Sequence, residues 1–291
     1  MLPLVPVLAI CFCIPPVQAD DKLTPADLVA KHLESIGTAE ARARVNGTKI
    51  KGDATVTVKL CGEGQVDGQV VMASHDAANL INMNFDIAAY PLEAMRFDGK
   101  KLTVSQLRPG SRTCLANFFI SHDVMFKEGL MGGVLSESWA LLSLQERSPK
   151  LEYGGLKKMD HKDLHVLKYN PRKGSDLKIT IYFDAATFRH VRTDYSRTIY
   201  ASEQRRIAPG GPGLPPAGNQ QASAARIEAR EEFEDFKDEA GLNLPHTYKF
   251  HLSIQSETKP AIVDWVFNLK DYAFTSPIDA AEFSIANEAG N

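Results

Sequence analysis

The sequence predicts a mainly β protein of the α+β class, in which antiparallel strands follow one leading helix. Apolar and polar residues alternate over residues 49–60, which is typical of a strand with one buried face. Similar segments follow with short turns between them, and short turns join antiparallel neighbours. Ahead of the first strand, apolar residues recur at helical spacing over residues 28–36.

The N-terminus has the pattern of a cleavable secretion signal. Residues 1–19 contain no Asp, Glu, Lys or Arg, and a pair of prolines ends the apolar run shortly before Ala19. The run is too short to cross a bilayer core of about 30 Å as a helix. We therefore expect cleavage after Ala19 and a periplasmic location. The alternatives are lipidation of Cys11 or Cys13, a buried N-terminal strand, or a weak anchor.

Residues 24–37 carry the start and stop signals of a helix. Thr24 is a suitable N-cap, Pro25 suits the first helical position, and Asp27 lies in the first turn. Gly37 is a suitable C-cap. A shorter helix is predicted over residues 38–45, before an Asn-Gly turn.

The strand pattern continues through most of the chain. Asp98-Gly99 predicts a hairpin turn between Phe97 and Leu102. A Pro/Gly-rich stretch at about residues 202–225 predicts a flexible loop, because it cannot build a core. Since strands resume beyond it, we expect a single domain over residues 20–291, arranged as one long meander. Further strands are predicted around residues 66–72, 81–85, 164–169, 177–183, 190–200, 248–254 and 263–269.

Dense apolar residues over 115–147 interrupt the strands around a short predicted helix. Met and Phe side chains are adaptable or large apolar groups that suit acyl chains. If the segment roofs a lipid site, its side chains should be only partly buried without ligand. If it is an ordinary helix on a sheet, they are core. The candidate ligand-binding residues are Phe118, Phe119, Met125, Phe126, Leu130 and Met131.

Two cysteines, Cys61 and Cys114, remain after removal of the signal. An even pair in an exported chain predicts a disulfide, and both cysteines lie just beyond predicted strands. The alternative is two separate buried thiols, since pairing does not follow from sequence alone.

Charge and motif content exclude several functions. Nucleic-acid binding requires a basic protein surface, and the formal net charge of −3 argues against one. No nucleophile elbow, phosphate-binding loop or dinucleotide motif occurs. We expect no enzymatic activity, no cofactor and no metal.

Two sets of polar residues could form a metal or acid–base site, but each has a simpler interpretation. His161 and His165 have metal-ligand spacing, yet they flank a predicted hairpin turn, where their rings should diverge. An acidic run could serve acid–base chemistry or bind a cation, but a solvated strand face is the favoured interpretation. That run comprises Glu228, Glu231, Glu232, Glu234, Asp235, Asp238 and Glu239.

Four stretches resemble a known family. They read KHLESIG at 31–37, IYFDAATFRHV at 181–191, FEDFKDEAGLNLPH at 233–246 and PIDAAEF at 277–283. Together they resemble the outer-membrane lipoprotein-sorting (LolA-like) superfamily, which includes the periplasmic Lol carrier and the envelope-stress sensor. The resemblance implies a strongly curved, incomplete antiparallel barrel, a half-barrel whose concave face is covered by the leading helix and short helices.

The same resemblance implies a periplasmic binding protein for lipids or lipoprotein acyl chains. Each buried CH₂ group stabilises such a complex by about 0.8 kcal/mol. A second hypothesis is an envelope sensor that binds lipid or a partner protein, and a third is an enzyme that uses the hollow. We expect a monomer that does not span the membrane.

Overall fold

The computed structural model describes residues 23–60, 63–199, 225–256, 260–274 and 278–283. Its helices are α1 (Pro25–Ile36), α2 (Ala39–Ala43), α3 (Cys114–Ser121), α4 (Val124–Lys127) and α5 (Leu144–Arg147), with 3₁₀ turns at Gly133–Leu135 and Ala280–Phe283. Its strands are β1 (Thr48–Leu60), β2 (Gly64–His75), β3 (Ala78–Phe85), β4 (Leu92–Phe97), β5 (Leu102–Val104), β6 (Lys150–Met159), β7 (Lys162–Asn170), β8 (Lys178–Asp184), β9 (His190–Ile199), β10 (Ala225–Glu239), β11 (Leu242–Gln255) and β12 (Ala261–Ala273).

These strands form one antiparallel sheet in the order β5-β4-β3-β2-β1-β12-β11-β10-β9-β8-β7-β6. The expected single meander is therefore two meanders, β1–β5 and β6–β12. The helical segment after β5 leads to β6 at the opposite edge, and β12 returns to pair with β1. In that central pair Val56 lies opposite Trp265 and Ala54 opposite Phe267.

The sheet is curved and does not close, which confirms the predicted mainly β half-barrel. The inward-facing residues of the strands form one large apolar core with α1, α2 and the segment between β5 and β6. Smaller apolar clusters lie elsewhere on the sheet, one of which joins Leu80 of β3 to Ile278 and Phe283. Most of the core therefore lies between the concave face and the helices.

Helix α1 begins and ends where the sequence predicts. The Thr24 hydroxyl accepts a hydrogen bond from the Asp27 N–H, and the Asp27 carboxylate accepts one from the Thr24 N–H. This capping box satisfies two otherwise unpaired donors of the first turn. At the other end the N–H of Gly37 donates to Glu34. The helix buries Leu28, Val29, His32 and Ile36 against the sheet.

Strand β6 is an element that the sequence pattern does not reveal. A register shift between Tyr153 and Leu156 accommodates Gly154 and Gly155, and Gly155 has φ +83°. This bulge interrupts the alternation on which strand prediction depends. Leu156 remains 62% exposed, so the strand also lacks a clear buried face.

Several predictions lie outside the described residues: the signal over residues 1–19, the loop over residues 202–224, and Cys61. Ala225, the last residue of the predicted loop, begins β10. The Cys61–Cys114 disulfide therefore stays a prediction, with Cys114 placed at the first position of α3. Within the described ranges, no helix is long and apolar enough to cross a bilayer.

Candidate functional site: the lid segment and the adjoining pocket

We call residues 114–147, which lie on the concave face, the lid segment. All six predicted ligand-binding residues belong to it, and the fold brings them together in one core cluster. They are at most 3% exposed: Phe118, Phe119, Met125, Phe126, Leu130 and Met131. This burial agrees with the alternative in which the segment is core, and the role of the six residues in ligand binding stays a prediction.

Aromatic packing explains this burial. The Phe119 ring lies 5.5 Å from Phe126, 5.4 Å from Phe250 of β11 and 6.0 Å from Trp265 of β12, measured between centroids. Offset and edge-to-face pairs at such distances stabilise beyond simple burial, by roughly 0.5–1.5 kcal/mol each. The first half of the lid segment is consequently part of the packed core.

A buried carboxylate holds the lid segment to β10. One oxygen of Glu231 accepts hydrogen bonds from the Gly132 N–H at 2.8 Å and the Tyr248 hydroxyl at 2.7 Å. The other accepts one from the Tyr195 hydroxyl at 2.5 Å. Gly132 has φ +80°, a conformation that favours glycine, and this turn directs its N–H at the sheet.

The interpretation of the acidic run as a solvated strand face is wrong for Glu231. Its side chain is fully buried, whereas the rest of the run is exposed or half-buried. The strand alternation predicts the burial of Glu231, because this residue belongs to the same i, i+2 series as the inward-facing Ile227, Ala229 and Phe233.

Burial raises the pKa of Glu231 to about 7, although hydrogen bonds from Tyr195, Tyr248 and Gly132 favour the charged form. Burial also raises the pKa of both tyrosines well above the usual range, so they stay protonated donors. The cluster can therefore hold or release one proton near neutral pH at a point where lid and sheet meet.

A second buried contact joins the lid segment to α1. The Trp139 indole N–H donates to Nε2 of His32 at 3.0 Å. Because an indole nitrogen only donates, Nε2 is unprotonated, and Nδ1–H donates to the Phe188 carbonyl at 3.1 Å. Burial lowers the pKa of His32 to about 4, so the ring is neutral. Trp139 also stacks on His190, with centroids 4.7 Å apart.

The two histidines at metal-ligand spacing do not form a site. His161 lies in the β6–β7 turn with φ +65°, while the ring of His165 contacts the Tyr153 hydroxyl at 2.9 Å. No group of three or more His, Cys, Asp or Glu suited to a metal occurs in the described part of the chain.

An open pocket of about 330 Å³ adjoins the second half of the lid segment. Helices α1 and α2 and strand β11 form its other walls. None of the six predicted residues lines it. Leu142 is 43% exposed there, which marks an accessible apolar wall. The apolar lining includes Ile36, Val134, Leu135, Leu142, Leu244 and Phe274.

Two charged side chains border this pocket. The Arg42 guanidinium donates to the carbonyl oxygens of Leu33, at 2.5 Å, and Gly37, which fixes it at the end of α1. One Glu137 oxygen accepts from the Gly47 N–H at 3.1 Å. Arg42 is the one cation and Glu137 the one carboxylate among the described lining residues.

No family model matches the sequence, and no curated protein matches it. Among solved structures, the chain is similar to a LolA superfamily protein from Nitrosomonas europaea, at 10% identity and a TM-score of 0.46, over 90% of this chain and 98% of that one.

Two other solved structures are similar. A DUF1329 family protein from Desulfovibrio piger is 9% identical with a TM-score of 0.40, over 89% of this chain and 96% of that one. A lipoprotein-sorting protein domain from Vibrio parahaemolyticus is 13% identical with a TM-score of 0.36, over 88% and 97%.

Proposed function

We propose that the protein is a periplasmic binding protein for a lipidic ligand, and that it holds an acyl chain in the pocket beside the lid segment without chemical conversion. The observation that carries this proposal is an accessible, mostly apolar pocket that no side chain fills. Small-molecule ligands bind in such concave, mostly apolar sites.

The size and lining of the pocket suit such a ligand. Its volume of about 330 Å³ is at the lower end of the roughly 300–1,000 Å³ of small-molecule sites. Each CH₂ group that enters contributes about 0.8 kcal/mol, so a few groups give measurable affinity without catalytic residues. Arg42 lines the pocket and would contact a carboxylate or phosphate at the polar end of the ligand.

In this proposal, the six lid-segment residues predicted from the sequence do not contact the ligand directly. They precede Val134 and Leu135 in the lid segment and support that wall of the pocket from within the core. They would contact the ligand only after the first half of the lid left the sheet, which would expose Phe118, Phe119 and Phe126.

Blocking the pocket should weaken ligand binding. Ala43 is exposed on α2 and lines the pocket, so Ala43→Trp should place an indole where the ligand lies. We expect affinity for a fluorescent fatty acid to fall about tenfold or more, since excluding two CH₂ groups costs about 1.6 kcal/mol. A fluorescence titration of the mature chain measures this.

Ala39→Trp is the matched control, because Ala39 is exposed on the same helix but does not line the pocket. It should leave the affinity unchanged. Equal affinities for the wild type and both variants would exclude this pocket as the site.

A further inference from the structure

A second groove, unrelated to the pocket beside the lid, runs along the sheet edge at β5. It has a volume of about 600 Å³ and lies among β5, the chain that follows it, and α3. Leu107 and Ile120 line it and are each 39% exposed. We call it the edge groove.

One wall of the edge groove is a rigid turn. Leu107 and Ser111 are joined by a backbone hydrogen bond of 2.9 Å, and the Ser111 N–H donates to Arg108 at 2.9 Å. Pro109 and Gly110 fill the middle of the turn, and Gly110 has φ +79°, the combination that a type II turn favours. The Gln106 side chain accepts from the Gly110 N–H at 2.6 Å, which further fixes the turn.

The other wall offers backbone hydrogen bonds. β5 is the terminal strand of the sheet and pairs only with β4 among the described strands. The Ser105 N–H donates to Ala94 of β4 at 2.9 Å. Backbone groups alternate in direction along an antiparallel strand, so those of Leu102 and Val104 point away from β4. Leu102 and Val104 are 4% and 8% exposed, and both line the edge groove, where no described strand pairs with that side of β5.

The exposed charged side chains that line the edge groove are all positive. Lys101, Arg108 and Arg112 are exposed and line it, and none of its described lining residues is acidic. Within the described ranges these three cations make no ion pair with a carboxylate at 4 Å or less. The groove therefore has positive charges available for a partner.

We propose that the edge groove binds an extended acidic peptide of a partner protein, which adds a strand to β5. The peptide's backbone would pair with Leu102 and Val104, its carboxylates would contact Arg108 and Arg112, and small apolar side chains would cover Leu107 and Ile120. A bilayer surface fits less well, because lipid does not supply the alternating donors and acceptors that an open strand edge requires.

A labelled ten-residue peptide of alternating Glu and Val tests this proposal by fluorescence anisotropy with the mature chain. We expect binding that Arg108→Glu with Arg112→Glu weakens about tenfold or more, since both changes replace attraction by repulsion. The matched control is Lys150→Glu with Lys158→Glu, the same charge change on β6 at the opposite sheet edge. It should alter affinity less than about twofold.

Four further measurements separate the alternatives. The same peptide with N-methyl groups on alternate backbone nitrogens should bind much more weakly, and undiminished binding would overturn strand addition. A Lys-Val peptide should not bind. Binding of phosphatidylglycerol vesicles that the Arg108/Arg112 variant loses, without any peptide binding, would assign the groove to a membrane and overturn the proposal. Ala43→Trp should bind the peptide normally, so this test is independent of the acyl-chain pocket.

Discussion

Replacing Phe126 by alanine should lower the free energy of unfolding by about 3–5 kcal/mol. The Phe126 side chain is 1% exposed and packs edge-to-face on Phe119, so its removal leaves a cavity that the surrounding sheet cannot fill. Urea denaturation followed by tryptophan fluorescence measures the loss. Because Phe126 does not line the acyl-chain pocket, fatty-acid affinity of the folded variant should be unchanged.

Leu156→Ala provides the control, since this side chain is 62% exposed on β6. It should change stability by less than about 0.5 kcal/mol. An intact unfolding curve for the Phe126 variant together with lost fatty-acid binding would contradict this account. That result would place the ligand among the lid residues that the sequence singles out.

Replacing Glu231 by glutamine should change the way stability depends on pH. Burial raises the pKa of Glu231 in the folded protein to about 7, from the ordinary value of 4.5 that applies to the unfolded chain. The folded state therefore holds a proton that the unfolded state has lost between these pH values. Glu231 thus contributes stability below about pH 4.5 that disappears as pH rises through 7.

The glutamine variant has no such proton. Its amide oxygen can accept from Gly132 and Tyr248, while its NH₂ group donates to the Tyr195 hydroxyl oxygen. Relative to the wild type, it should gain up to about 3 kcal/mol between pH 4.5 and pH 7 and nothing more above. His32, whose pKa burial lowers to about 4, opposes this trend in both proteins and cancels in the difference.

Urea denaturation at several pH values from about 4 to 9 measures this difference. Glu234→Gln is the control, because Glu234 is exposed on the same strand and pairs with Lys249 at the surface. It should show no comparable pH-dependent gain. A constant difference between the Glu231 variant and the wild type would mean that this carboxylate titrates alike in both states.

The strands and α1 could be predicted from the sequence because their signals are local. Period-two alternation in β1, β11 and β12 corresponds to one buried face, and the Thr24 cap acts within a single turn. The exception, β6, carries a glycine bulge that removes the alternation. Sheet order is not local, since the β1–β12 pair joins residues about 200 positions apart.

The candidate site was harder to predict, because its contacts are tertiary. Helical aromatic residues such as Phe119 have the same sequence pattern whether they roof a hollow or fill it. Trp139 lies in irregular chain, and its role depends on His32 from α1. The pocket wall combines Ile36 with Leu142 and Leu244, which no spacing rule relates.

Photocrosslinking tests the central claim, acyl-chain binding beside the lid, most directly. A fatty acid with a diazirine near the end of its chain is bound to the mature protein and irradiated, and adducts are located by tandem mass spectrometry. We predict adducts on the pocket wall at Val134, Leu135, Leu142 and Leu244, which excess unlabelled fatty acid suppresses. Suppressible adducts confined to residues 118–131, with none on this wall, would contradict the account.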